Sequence, residues 1–258
     1  MIKHKYIWFV AVLACLFILA AHHYNQAQLH WILYVLIICV GITAWGSFDI
    51  RSNYFTKVWY RNKQLAEKKI ALTFDDGPHP ITHQILDLLR KYEMKATFFC
   101  IGKEIEKYPE ILKRIHQEGH TVGNHTYTHS TKMGFLSARK INQEIRITNK
   151  LIAEKIHQKP QLFRPPFGVT NPNIAIATED LKMKVIGWNV RSLDTVLSKE
   201  HDILGRVLPR IKPGAIILFH DTSERTLHVL EQLLPYMKTK EYQCVTVDQL
   251  LNLQPYES

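Results

Sequence analysis

The chain has 258 residues, with 33 Lys and Arg against 23 Asp and Glu for a formal charge of +10, and 46% hydrophobic residues. That balance excludes a disordered or low-complexity protein, and the length allows one sizeable domain plus an additional segment. Half of the excess charge lies in residues 1–65; the other half is too diffuse, and too poor in basic stripes interleaved with aromatics, for a nucleic-acid partner.

Two apolar runs come first, YIWFVAVLACLFILAA (6–21) and LHWILYVLIICVGITAWGSF (29–48), separated by the polar HHYNQAQ. A spanning helix needs about 20 residues, with a lower limit near ~17. The second run meets this. The first is marginal and could serve as a signal-peptide core, but no small-x-small cleavage site follows it. Residues 1–50 are therefore expected to form a hairpin of two transmembrane helices, the alternative being a buried pair of soluble helices. Lys3 and Lys5 precede it, the connector carries no Lys or Arg, and Arg51, Lys57, Arg61 and Lys63 follow. The positive-inside bias then puts both ends of an integral inner-membrane protein in the cytoplasm. Residues 51–68 read as a basic linker.

From residue 69 to about 252, strand-like runs alternate with helical patterns. The strands are expected at 69–75, 95–102, 120–126, 161–166, 183–190, 214–221 and 243–247, and the helices at 83–92, 110–119, 137–156 and 226–238. The third helix repeats Ile141, Ile145, Thr148 and Ile152 at helical spacing, a core face. Alternation of this kind argues for a parallel α/β sheet, and seven strands favour a closed or nearly closed barrel. Function in such folds gathers at the C-terminal strand ends. The four cysteines form no C-x-x-C pair, which argues against a disulfide framework or a thiolate zinc site.

Polar residues able to carry chemistry cluster at those ends. In LTFDDGPHP, Asp75 and Asp76 close an apolar run. Neighbours in a strand face opposite sides, but Gly77 and Pro78 break the strand and release the second side chain. Three His-x-x-x-His pairs occur: His79/His83, His116/His120 and His125/His129. Fourteen histidines give about one such pair by chance, so spacing alone is weak. The third pair, in GNHTYTHS, directly follows a strand. With one aspartate it would make a three-ligand site with open positions, as a catalytic zinc requires, and the other aspartate would be free to act as a base. In FRPPFG, Arg164 precedes two prolines that lack donors, leaving the Phe167 amide free for an oxyanion. In ILFHD, His220 ends an apolar strand and could serve as a general acid.

Taken together, TFDDGP, HTYTH, RPPFG, WNVRSLDT and LFH resemble, in order and interval, the motifs of the polysaccharide deacetylase family (the NodB homology domain of carbohydrate esterases) over about residues 69–250. The resemblance implies a distorted (β/α)7 barrel and metal-dependent removal of an N-acyl group, most often acetyl, from an amino sugar. It also implies roles. Asp75 is the base, His220 the acid, and Asp76, His125 and His129 the metal ligands, with zinc the expected ion and cobalt, manganese or nickel as alternatives. Arg164 supports the base, Phe167 supplies the oxyanion amide, and Leu218 and Trp188 shape the acyl pocket. Asp194 matches an acid that orients the motif arginine. Arg191 and Thr195 depart from the family pattern, where an acid and an aromatic are usual, which reshapes the substrate wall. The expected partners are membrane lipid and an N-acylated amino sugar. The sugar would be an extracytoplasmic glycan on the family's precedent, or a lipid-linked amino sugar deformylated or deacetylated at the cytoplasmic leaflet on the charge distribution. A silent glycan-binding module is a further alternative, disfavoured because a binder needs neither Asp75 nor His220.

Overall fold

A computed structural model describes residues 3–257. Among the described residues nine short strands form one curled, parallel sheet. Its order is β1 (Val58–Trp59), β6 (Lys184–Ile186), β5 (Leu162–Phe163), β4 (Thr121–Asn124), β3 (Ala96–Cys100), β2 (Lys69–Asp75), β8 (Ile216–His220) and β7 (Val190–Arg191), with β9 (Gln243–Cys244) pairing to the start of β2. The α/β barrel expected from the sequence is present in this distorted, incompletely hydrogen-bonded form.

Along β2 the side chains alternate as a pleated strand requires. Ile70, Leu72 and Phe74 face the outer core, while Ala71 faces the smaller core inside the curl. Thr73 and Asp75 continue the inner face, where both meet Arg164. The outer surface is covered by helices α3 (Thr82–Lys91), α4 (Gly102–Lys107), α5 (Pro109–Gln117), α6 (Ala138–Ile156), α7 (Pro172–Asp180), α8 (Glu200–Val207) and α9 (Glu224–Thr239), and the short α10 (Val247–Leu251) closes the chain. Ile141, Ile145, Thr148 and Ile152 are all buried on one face of α6, as their spacing predicts.

Two expectations require correction. The single run at 183–190 is divided between β6 and β7, which stand towards opposite ends of the sheet. The intervening residues cross the open seam: the Gly187 amide donates to Trp59 O at 2.9 Å and the Asn189 amide to Ile216 O at 3.2 Å. The stretch 51–68 is also no linker. It contributes β1, whose Val58 is buried, and Asn62 bonds on both sides, its amide to Gly214 O and its Nδ2 to Leu250 O, each at 2.9 Å. A two-residue strand is too short to show a period, which is why this stretch reads as a linker in the sequence.

The N-terminal segment forms α1 (His4–His23) and α2 (His30–Phe48), close to the expected 6–21 and 29–48. Both have a mean hydropathy of 2.0 and are scarcely buried, with 6% and 11% of their apolar windows buried, so they are not core helices of the barrel. They are long and apolar enough to cross a membrane. The end of α2 docks on the barrel, where Tyr54 packs against Gly46 and the Thr170 amide donates to Ser47 O at 3.0 Å.

Candidate active site

The register of the sheet brings the two ends of the site together. Asp75 is the direct pairing partner of His220 on β8, and of Phe99 on β3. A cavity of about 180 Å³ opens there, at the C-terminal ends of β2, β4 and β8.

Asp75 reaches the cavity by strand alternation. Arg164, fully buried, donates from Nη1 to Asp75 Oδ1 at 2.7 Å and to Thr73 Oγ1 at 2.8 Å. Its other donors go to the carbonyls of Ile186 and Gly187, and Phe99 stacks 4.1 Å from the guanidinium carbon. Asp76 should point the other way, but its φ of +75° turns it back. The break in alternation thus falls on Asp76 itself, a conformation that costs a non-glycine residue about 1–3 kcal/mol. Gly77 is required behind it because a Cβ there would collide with the buried carboxylate of Asp221.

His125 and His129 come from the loop after β4, not from a helix. Thr126 and His129 both adopt positive φ, 67° and 49°, which folds the i, i+4 pair onto one side. The loop is braced from α6. Glu144 Oε2 accepts the amides of Tyr127 and Thr128, at 3.1 and 2.8 Å, and buried Asn124 accepts the Thr126 amide at 2.8 Å. His125 Nδ1 bonds the Arg164 carbonyl at 2.7 Å, which directs Nε2 into the cavity. His125 Nε2 and His129 Nε2 each stand 3.4 Å from Asp76 Oδ1, and that oxygen is buried without a hydrogen-bond donor. Burial would raise the Asp76 carboxyl, but His125 foremost, then His129 and His220, hold it down at about 2. Three converging donor atoms within 4.8 Å of one another, one of them an orphaned carboxylate oxygen, fit a divalent cation. The other two histidine pairs do not converge: His120 Nδ1 accepts the Ala96 amide in the core and His83 contacts Arg114.

On the opposite wall His220 is paired with Asp194, Nδ1 to Oδ1 at 2.9 Å, and its own amide donates to Asp194 Oδ2 at 2.7 Å. Ser192 and Thr226 complete the shell of Asp194, each at 2.8 Å. Asp194 therefore orients His220 and not Arg164, contrary to the expectation from the motif. Burial opposes charge on His220, yet the bond to Asp194 prevails and raises it to about 9. Phe167 has φ +60°, half exposed at the cavity edge, and its amide has no protein acceptor among the described residues. Trp188 packs on Gly168 beside it, and Leu218 is buried at the floor. Arg191 and Thr195 also line the cavity and are exposed. Sequence reasoning missed Glu144, Asn124, Ser192, Thr226 and Asp221. The last is buried, accepts from Thr82 Oγ1 at 2.5 Å, and is raised by burial to about 7.

Residues 62–186 match the family model for polysaccharide deacetylase. A peptidoglycan-N-acetylglucosamine deacetylase of Bacillus cereus is 37% identical over 191 residues, covering 72% of this chain and 89% of the relative. The peptidoglycan-N-acetylmuramic acid deacetylase PdaC of Bacillus subtilis is 37% identical over 185 residues, 71% of this chain but only 39% of the relative. The chain thus spans about two fifths of the length of such larger relatives. The solved structure of PdaC superposes with a TM-score of 0.69 at 37% identity, covering 72% of this chain and 91% of that one.

Proposed function

The chain belongs to the polysaccharide deacetylase family, and on that premise we propose that it hydrolyses the N-acyl group, acetyl in the first instance, of an amino-sugar glycan or glycolipid. The observation that carries this reading is the division of the cavity into a base wall and an acid wall around a cation-sized gap. Arg164 holds Asp75 on one side, and Asp194 holds His220 on the other.

Asp76, His125 and His129 are the proposed ligands of a divalent cation, and two imidazoles with one carboxylate suit zinc, or cobalt, manganese or nickel. When bound, the ion would supply the Lewis acidity that makes an amide carbonyl and a water reactive near neutral pH. The remaining chemistry falls to the chain. Asp75 takes the proton of the attacking water, and its bond to Arg164 fixes which oxygen is available. The Phe167 amide donates to the oxyanion as negative charge builds on the carbonyl oxygen. His220 gives a proton to the departing amine, which cannot leave as an anion. Leu218 and Trp188 bound the space for the acyl group.

We further infer that α1 and α2 span a membrane, because their exposed apolar surface has no other cover among the described residues. The test of the activity is release of acetate with an equal amount of free amine from an N-acetylated oligosaccharide. Chelation should abolish it and added zinc restore it. Release insensitive to a chelator would overturn the assignment.

A further inference from the structure

Beside the catalytic cavity lies a second one of about 460 Å³, and the two share Phe167, Trp188 and Arg191. Its walls come from elements distant in sequence: the end of α2, the β6–β7 crossing, and α8 with the turn that follows it. Four guanidiniums, those of Arg51, Arg191, Arg206 and Arg210, face it against one carboxylate, Asp49. Arg51 occupies that carboxylate through two bonds of 2.8 and 2.9 Å. The other three have no acidic partner among the described residues; Arg206 and Arg210 are tied only to backbone, and the Arg191 guanidinium lies 6.0 Å from the Trp188 ring. Arg206 Nε donates to Arg191 O at 2.7 Å, and Arg210 Nη1 to Arg206 O at 2.6 Å. A guanidinium carries five N–H donors in a planar fork, so most of each fork is left for a ligand. Three like charges gathered in one groove repel one another, an anion between them relieves that repulsion, and the fork matches phosphate oxygens two at a time. The hydroxyls of a neutral glycan would accept from them but leave their charge uncompensated.

The groove is apolar at its far end. Trp45 and Phe48, 58% and 74% exposed, sit on the last turn of α2, where that helix would leave a bilayer. A ligand filling both cavities is thus sugar at one end, anionic in the middle and apolar at the other. We infer that the groove seats the phosphate of a lipid-linked N-acyl amino sugar, with the sugar entering the catalytic cavity past Phe167 and Trp188 and the lipid following α2. This rests on the amino-sugar deacylase assignment and gives Arg191, a departure from the family motif, a function.

The phosphate could belong to the substrate's carrier or to a bilayer headgroup, and the experiment separates them. Full-length Asp75→Asn protein in phosphatidylcholine nanodiscs is titrated, by tryptophan fluorescence, with N-acetylglucosamine joined to farnesol through phosphate and with the neutral farnesyl glycoside of the same sugar. The phosphate-linked lipid should bind at least about tenfold more tightly. Arg206→Gln with Arg210→Gln should bring the two affinities to within about twofold, and the paired lysine variant should recover part of the difference. Equal binding of both lipids to the parent, or equal weakening of both by the glutamine pair, overturns the inference. Equal binding combined with loss of both on adding phosphatidylglycerol assigns the arginines to bilayer headgroups and overturns it equally. A preserved phosphate preference without any acetate release by the wild-type chain would count against the deacylase assignment alone.

Discussion

Asp75 and Asp76 are consecutive, yet they enter one cavity by different routes: one follows the pleat of β2, the other a left-handed turn at its end. The first is tied to Arg164 while the second keeps a buried oxygen with no donor. Removing an imidazole beside that oxygen should therefore affect the cation before anything else. His125→Ala is expected to hold less than about a tenth of the wild-type metal after dialysis, measured by elemental analysis. On the acid wall, His220 stands raised to about 9 by Asp194. A general acid must carry its proton, so activity is supported below that value and lost as pH rises through it. Asp194→Asn deletes the anion that raises the group, and the alkaline limb of the pH–rate profile should move down towards neutral, with a rate at pH 8 about tenfold lower. An unmoved limb would show that Asp194 does not set it. Asp75, Asp76 and His220 were legible in the sequence because they end apolar runs inside short motifs, whereas Asp194 was legible only through the family resemblance. The partner of Asp194 was not, since Arg164 after β5 and His220 on β8 both approach Asp75 and only the fold decides which one Asp194 meets.

At the scale of elements, the loop carrying His125 and His129 follows no periodic pattern, and the groups that shape it lie on α6. Glu144 accepts two of its amides, 16 and 17 residues away in sequence. Its position in a polar helix face gives no sign of this. Glu144→Ala should weaken metal binding by about 10–100-fold, as loss of outer-shell support commonly does, with little change in the melting temperature. The edge strand β1 was equally hidden, and its consequence is a matter of stability. Residues 49–65 bury Ile50 and Val58 against the barrel, and each such side chain contributes about 1.5–3 kcal/mol. A chain trimmed to residues 49–258 should keep its cooperative unfolding, whereas residues 66–258 should melt more than about 5 °C lower. Equal melting of the two would mean that β1 does not stabilise the barrel.

For the whole molecule, the alternation of strands and helices disclosed the barrel, and the two apolar runs disclosed the hairpin, but nothing in either announced that they meet. They meet at the active site. Thr170, three residues beyond Phe167 at the cavity edge, is bonded to Ser47 on the last turn of α2, so the mouth of the cavity lies beside the end of that helix. The distribution of Lys and Arg around the hairpin supports a cytoplasmic barrel. A fluorescent protein fused to the C-terminus should accordingly fluoresce, and an alkaline phosphatase fusion should be inactive; the reverse pattern would put the barrel outside.

Asp76 and the two histidines are proposed to hold a cation while Asp75 beside them works as a base, and this is checked by measuring acetate release and metal content together in the wild-type chain and in Asp75→Asn. Equal metal in both, with release slower by about 10²–10⁴-fold in the variant, is the predicted result. Loss of metal in step with activity, or release that survives the substitution, would contradict it.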